Sequence, residues 1–283
     1  MSEPQDFAGR VALVTGGTQG LGYAVAELLR ARGAAGLVLV GRNVEKGEAA
    51  AASLTDDSCR AVFVSADLYS ADGCAAAVAA VDAEFGTCHA LINCAAKTDR
   101  ASVWTATAED WDGMLGLNTR APALLAQDVA RIMVRERVDG SIVFIGSVAA
   151  QGGTETLLPY AASKMALIAI ARNMAYSLMR HRIRVNVLSP GWMDTPNEDL
   201  TQRQWEGASD GWLERAEAEQ PWGKLIKPPE VARTIVHLAT PESGMLTGQN
   251  IEWDQTIMGV GAGVRPGPEL GEPPPDLLPG ASS

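Results

Sequence analysis

The sequence predicts an α/β fold whose mostly parallel central sheet is doubly wound, with helices on both faces. Three observations point there. Six short apolar runs rich in β-branched residues recur along the chain, helical patterns fill the gaps between them, and a glycine-rich turn separates the first run from the first helix. Residues 11–14 (Val-Ala-Leu-Val) are continuously apolar, as a strand buried on both faces must be. A helix follows over 23–32, then a second strand over 37–40 and a helix over 44–54. Residues 61–65 form the third strand and 71–85 the next helix. The fourth strand is 90–92. The long helical stretch 109–137 opens on Glu109 and Asp110 behind Thr107 as N-cap, acidic groups suited to a helix start. Strand five spans 141–145, a helix 160–180 and strand six 183–188, and a further helix begins near Pro229. Right-handed crossovers between parallel strands give the double winding.

With 283 residues and 47% hydrophobic content the chain can bury a large core. A net charge of −11 repels nucleic acid and anionic lipid, so neither is expected as a partner. Cys59, Cys74, Cys88 and Cys94 form no CxxC pair, and His89, His181 and His237 are scattered. A disulfide scaffold and a metal site are therefore not expected, and reduced buried thiols in a cytoplasmic protein are. Residues 1–6 lack the basic and apolar regions of a signal peptide, and no apolar run reaches the ~18 residues of a membrane span.

The predicted domain covers 7–258. Within it, 193–226 is a polar excursion carrying Trp205, Trp212 and Trp222 that reads either as a substrate lid or as a pair of surface helices. Residues 261–283, rich in Gly and Pro, read as a disordered tail.

Two local patterns carry chemistry. Between the first strand and first helix lies Thr15-Gly16-Gly17-Thr18-Gln19-Gly20-Leu21-Gly22. Glycines there let backbone approach a pyrophosphate, which the helix N-terminus then holds through its free N–H groups. Farther on, Tyr160 and Lys164 stand four residues apart, on one helix face, with Ser147 thirteen positions upstream. An ammonium beside a phenol favours the ionised form, so the Tyr160 pKa is expected to fall toward working pH. Such a phenol is a general acid/base for an alcohol–carbonyl couple. Tyr176, on the same helix, has Arg180 four residues on and no serine partner, and is expected in the core.

Together these patterns resemble the short-chain dehydrogenase/reductase family. Its TGxxxGxG falls on Thr15, Gly16, Gly20 and Gly22, its YxxxK on Tyr160 and Lys164, its serine on Ser147, and its asparagine on Asn118. Its PGxxxT falls on Pro190, Gly191 and Thr195 and its adenine-side aspartate on Asp67. Its NNAG is here Asn93-Cys94-Ala95-Ala96, matching at Asn93 and Ala95 only. The usual glycine-rich ending is replaced by Trp253-Asp254-Gln255-Thr256. The resemblance implies a Rossmann domain and a nicotinamide dinucleotide. The implied cofactor residues are Gly16, Thr18, Gln19, Gly20, Leu21, Gly22, Arg42, Asp67, Leu68, Asn93, Ala95, Tyr160, Lys164, Pro190, Gly191, Met193 and Thr195. The implied catalytic set is Asn118, Ser147, Tyr160 and Lys164, with Asn118 holding a water that links Lys164 to solvent. Ser147, Tyr160 and Trp192 are substrate-side candidates, although Trp192 equally suits core filling.

The second strand ends in Gly41-Arg42-Asn43, with no carboxylate for a ribose 2′-hydroxyl. Arg42 can instead bond a 2′-phosphate, so NADP is expected ahead of NAD. The expected substrate is a small carbonyl or secondary alcohol, and the polar excursion hints at a sugar or polyol. The alternatives are a 3-oxoacyl-thioester reductase and a dinucleotide sensor without activity. The resemblance also implies a homotetramer built on the Tyr160 helix and the one before it, with Ala161, Ala166, Ala169 and Ala171 read as a small-residue packing face.

Overall fold

The computed structural model describes residues 3–257. The tail expected over 261–283 lies outside the described residues. The elements run β1 (Val11–Thr15), α1 (Gly20–Ala31), β2 (Gly36–Gly41), α2 (Val44–Leu54), β3 (Arg60–Ser65), α3 (Ala71–Phe85), β4 (Ala90–Asn93) and α4 (Ala108–Leu115). They continue with α5 (Ala121–Arg135), β5 (Ser141–Ile145), α6 (Leu158–Leu178), β6 (Arg184–Pro190), α7 (Pro196–Trp205), α8 (Trp212–Ala218), α9 (Pro228–Ala239) and β7 (Asn250–Trp253). Among the described residues the sheet has the order β3-β2-β1-β4-β5-β6-β7, with every pairing parallel.

Both faces of the sheet are covered, which explains the unbroken apolar strands. One face packs Leu13, Val38, Leu91 and Phe144 against α3, α5 and α6 through Val81, Val129 and Leu167. The other packs Ala12, Val14, Leu39 and Val143 against α1, α2 and α9 through Val25, Leu54 and Ile235. The strand order reverses between β1 and β4, and the two strand ends open a crevice there, the place where such sheets bind ligands.

Four expectations need correction. The stretch 109–137 is not one helix: a π-helical turn, Gly116–Arg120, separates α4 from α5. Pro122 has no N–H to give the Asn118 carbonyl four residues back, which removes the ordinary bond at that turn. Tyr176 is 83% exposed, because α6 turns its far end to the surface beyond the buried Ala175. Ala161, Ala166, Ala169 and Ala171 do not share a face: Ala171 packs into the core while Ala169 is exposed. Residues two apart on a helix lie about 200° apart around its axis, so this spacing could not align them. Finally, β7 is a seventh strand that the six apolar runs did not announce.

Candidate active site

The crevice is a cleft of about 710 Å³ lined by the glycine loop, the ends of β2, β4, β5 and β6, and α7. Gly22, in the first turn of α1, sits so close to the loop that a Cβ there would overlap the Gly16 carbonyl oxygen. That contact holds the helix N-terminus against the mouth of the cleft. Gly22→Ala is expected to lower stability by about 1–3 kcal/mol and to weaken dinucleotide binding, read by the melting temperature and by cofactor fluorescence. An unchanged melting temperature would deny the close approach its role.

Of the residues put forward as cofactor-binding, Gly16, Thr18, Gln19, Gly20, Leu21, Gly22, Arg42, Asp67, Leu68 and Ala95 line the cleft. So do Tyr160, Lys164, Pro190, Gly191, Met193 and Thr195. Asn93 does not: it is buried at the end of β4, and both its side-chain polar atoms lack a partner among the described residues. Asn118 also stands behind the wall. Its Oδ1 accepts from the Lys97 backbone N–H (2.8 Å). Its amide donates to the Lys97 carbonyl (2.9 Å) and the Ser163 hydroxyl (3.2 Å). Asn118 thus ties the chain leaving β4 to the helix that carries Tyr160 and Lys164.

Ser147, Tyr160 and Lys164 come together on one wall. Pro159 in the first turn of α6 suits a helix start, and the helix then stacks Tyr160 over Lys164. Lys164 is buried and its Nζ donates to the Ile145 carbonyl (2.7 Å), 5.7 Å from the Tyr160 ring centroid. Burial brings the Lys164 pKa down to about 8. The Tyr160 pKa moves opposite to expectation. Burial raises it above the ordinary phenol value, while the Ser147 hydroxyl bonded to it pulls it down. Glu198 raises it further and Arg100 lowers it. The ammonium is drawn toward Ile145, so desolvation of the phenol dominates.

A dinucleotide fits these residues. Gly20 has φ +54° and its open side faces Thr195, leaving backbone bare where a diphosphate would pass. Arg42 and Lys46 stand exposed at the β2 end of the cleft, with Lys46 Nζ 3.5 Å from Gln19 Oε1. Sequence reasoning missed Lys46, although its place in the first turn of α2, whose N-cap Asn43 accepts from the Lys46 N–H, was a usable signal. It also missed Arg100, Asn197, Glu198, Gln202, Thr154 and Asp254, which line the same cleft. Among the described residues no group of three or more His, Cys, Asp or Glu is placed to hold a metal.

Of the two readings of the 193–226 excursion, the helical one describes its form. It is a pair of helices, α7 and α8, and α7 forms one wall of the cleft. Trp192 lines the cleft and stacks on Trp212, ring centroids 6.3 Å apart. Gln255 anchors the excursion from the far side, accepting from the Trp222 N–H (2.9 Å) and donating to the Lys224 carbonyl (2.7 Å). Asp254, one residue earlier, lies over Gly191 so closely that a Cβ there would overlap its carboxylate.

The comparisons with known proteins agree with this geometry. Residues 16–255 match the family model described as "Enoyl-(Acyl carrier protein) reductase". The short-chain reductase protein NovJ of Streptomyces niveus is 34% identical over 244 residues, covering 86% of this chain and 92% of that protein. The 3-oxoacyl-[acyl-carrier-protein] reductase FabG of Chlamydia trachomatis is 30% identical over 246 residues, covering 87% of this chain and 96% of that protein. The solved L-sorbose reductase of Gluconobacter frateurii, complexed with NADPH and L-sorbose, superposes with a TM-score of 0.81 at 27% identity. It covers 91% of this chain and 100% of that one. The protein belongs to the short-chain dehydrogenase/reductase family and is an NAD(P)-dependent oxidoreductase.

Proposed function

We propose that the protein interconverts a small uncharged secondary alcohol and its carbonyl with NADP(H), using Tyr160 as general acid/base. The observation that carries this reading is the gathering of Ser147, Tyr160 and Lys164 on the wall of the cleft that the glycine loop opens. The bound dinucleotide supplies hydride in one direction and accepts it in the other. In reduction Tyr160 gives its hydroxyl proton to the carbonyl oxygen. Its raised pKa keeps that proton in place at neutral pH, which suits an acid. Ser147 donates a hydrogen bond to the same oxygen as charge develops on it. Lys164 would hold the nicotinamide ribose, and Asn118, bonded to Lys97 and Ser163, positions α6. The domain spans 7–258, with 193–226 covering the substrate.

The pH dependence follows from Lys164. An amine whose pKa burial has lowered to about 8 carries its charge below that pH and loses it above. The kcat/KM for NADPH, which reports groups of the free enzyme, is expected to stay level on the acid side and fall as pH rises through about 8. A level profile to pH ~10, near the ordinary amine value, would remove Lys164 from cofactor binding.

Arg42 and Lys46 support NADP over NAD. Exposed apolar groups on α6, among them Leu158, Met165 and Tyr176, support assembly into a homotetramer. Free thiols at all four cysteines fit a cytoplasmic setting. The deciding experiment is cofactor oxidation against a panel of ketones, polyols and a 3-oxoacyl thioester, with NADPH and NADH. Binding of dinucleotide without turnover of any member would make the protein a sensor. Preference for the thioester would favour the activity named for the chlamydial relative.

A further inference from the structure

The substrate end of the cleft holds an ion pair that no sequence motif announces. Arg100 follows β4 and Glu198 sits in the first turn of α7. Their side chains are 15% and 16% exposed, 3.8 Å apart between Nη2 and Oε1. Both line the cleft beside Tyr160, and both charges are felt at its hydroxyl. The two carboxylate oxygens of Glu198 are used differently. Oε1 accepts from Trp192 Nε1 (2.8 Å) and Gln202 Nε2 (2.9 Å) besides facing Arg100. Among the described residues no hydrogen bond reaches Oε2. A largely buried carboxylate pinned by one oxygen, with the other left over, is an acceptor waiting for a donor.

Arg100 cannot play the same part for an anion. Its Nε donates to Glu206 Oε1 (2.8 Å) and its Nη1 to the Thr98 carbonyl (2.9 Å), leaving Nη2 toward Glu198. One guanidinium thus faces two carboxylates, so a negatively charged substrate would meet net repulsion.

Resting on the oxidoreductase reading above, we propose that Glu198 accepts a hydrogen bond from a hydroxyl neighbouring the reacting carbon, so that the substrate is an uncharged hydroxy ketone or the matching diol. Arg100 is a positioning residue: it supplies the counter-charge that holds Glu198 in the wall. Asn197 and Thr201 tie the same helix to Thr98, at 3.1 and 3.4 Å between side chains, and so hold it against the segment that carries Arg100. A pocket built to accept a substrate hydroxyl rejects the analogue lacking it, because its own polar group is then left unpaired.

The test compares kcat/KM for a hydroxy ketone, the deoxygenated ketone of equal length and the corresponding keto acid, in wild type, Glu198→Gln and Glu198→Ala. Wild type is expected to favour the hydroxy ketone by about ten- to a hundredfold, the worth of one hydrogen bond to a buried charge. Glu198→Ala should cut that ratio to near unity through the hydroxy ketone, and Glu198→Gln should retain part of it. The dissociation constant for NADPH, measured alongside, is expected to hold in both variants and shows that the fold is intact. Equal rates for the two ketones in wild type, or a preference for the keto acid, would overturn this proposal and leave the oxidoreductase reading standing. No turnover of any carbonyl or alcohol with either cofactor would overturn both.

Discussion

Tyr160→Phe is expected to lower turnover by about 10²–10⁴-fold, the range for removing a positioned general acid/base. The phenyl ring keeps the volume and removes only the oxygen, so packing around α6 should hold. Lys164 donates to Ile145 and not to the phenol, so its own hydrogen bond survives the change. NADPH binding should therefore change little, and the loss should fall on kcat. The measurement is steady-state reduction of the best panel substrate, with cofactor affinity read separately by fluorescence. Undiminished kcat would mean that the proton comes from elsewhere and that Ser147 and Lys164 share the wall for another reason. The raised Tyr160 pKa sharpens the expectation by direction. Reduction, which needs the protonated phenol, should run well at neutral pH, whereas alcohol oxidation, which needs the phenolate, should rise with pH.

The second large effect concerns the choice of dinucleotide. Replacing Arg42 and Lys46 together by alanine is expected to raise the NADPH dissociation constant about ten- to a hundredfold and to leave that for NADH nearly unchanged. The reason is local. Both cations stand at the β2 end of the cleft, and neither enters an ion pair among the described residues. Both are exposed, so salt screens them and the figure belongs to low ionic strength. Wild-type NADPH binding should weaken with added salt more steeply than the double variant does. Equal weakening of both cofactors would show that the pair serves the diphosphate, and tighter wild-type binding of NADH would reverse the preference.

What the sequence made legible follows from how far each signal extends along the chain. The buried strands were legible because covering both faces leaves continuous apolar runs, and α2, α3 and β5 begin and end where the pattern placed them. The strand β7 was not legible. It is four residues long, sits at the sheet edge, and mixes Asn250 and Glu252 with Ile251 and Trp253. The glycine loop and the Tyr160–Lys164 spacing are local, and the fold keeps them local. The direction of the Tyr160 shift was not readable, because it depends on where Lys164 spends its hydrogen bond and on how much water the wall excludes. Arg100 and Glu198 lie far apart in sequence and meet only once α7 has packed across the cleft, so no spacing could pair them.

The overlap between residue 191 and the carboxylate of Asp254 also constrains how this chain can drift. A side chain arriving first at 191 collides with the Asp254 side chain just past β7, whereas shortening 254 first opens the room. The order of substitutions therefore matters, and one order passes through a damaged intermediate. Descendants of this protein should inherit change at these two positions as a linked pair, with position 254 moving ahead of its partner.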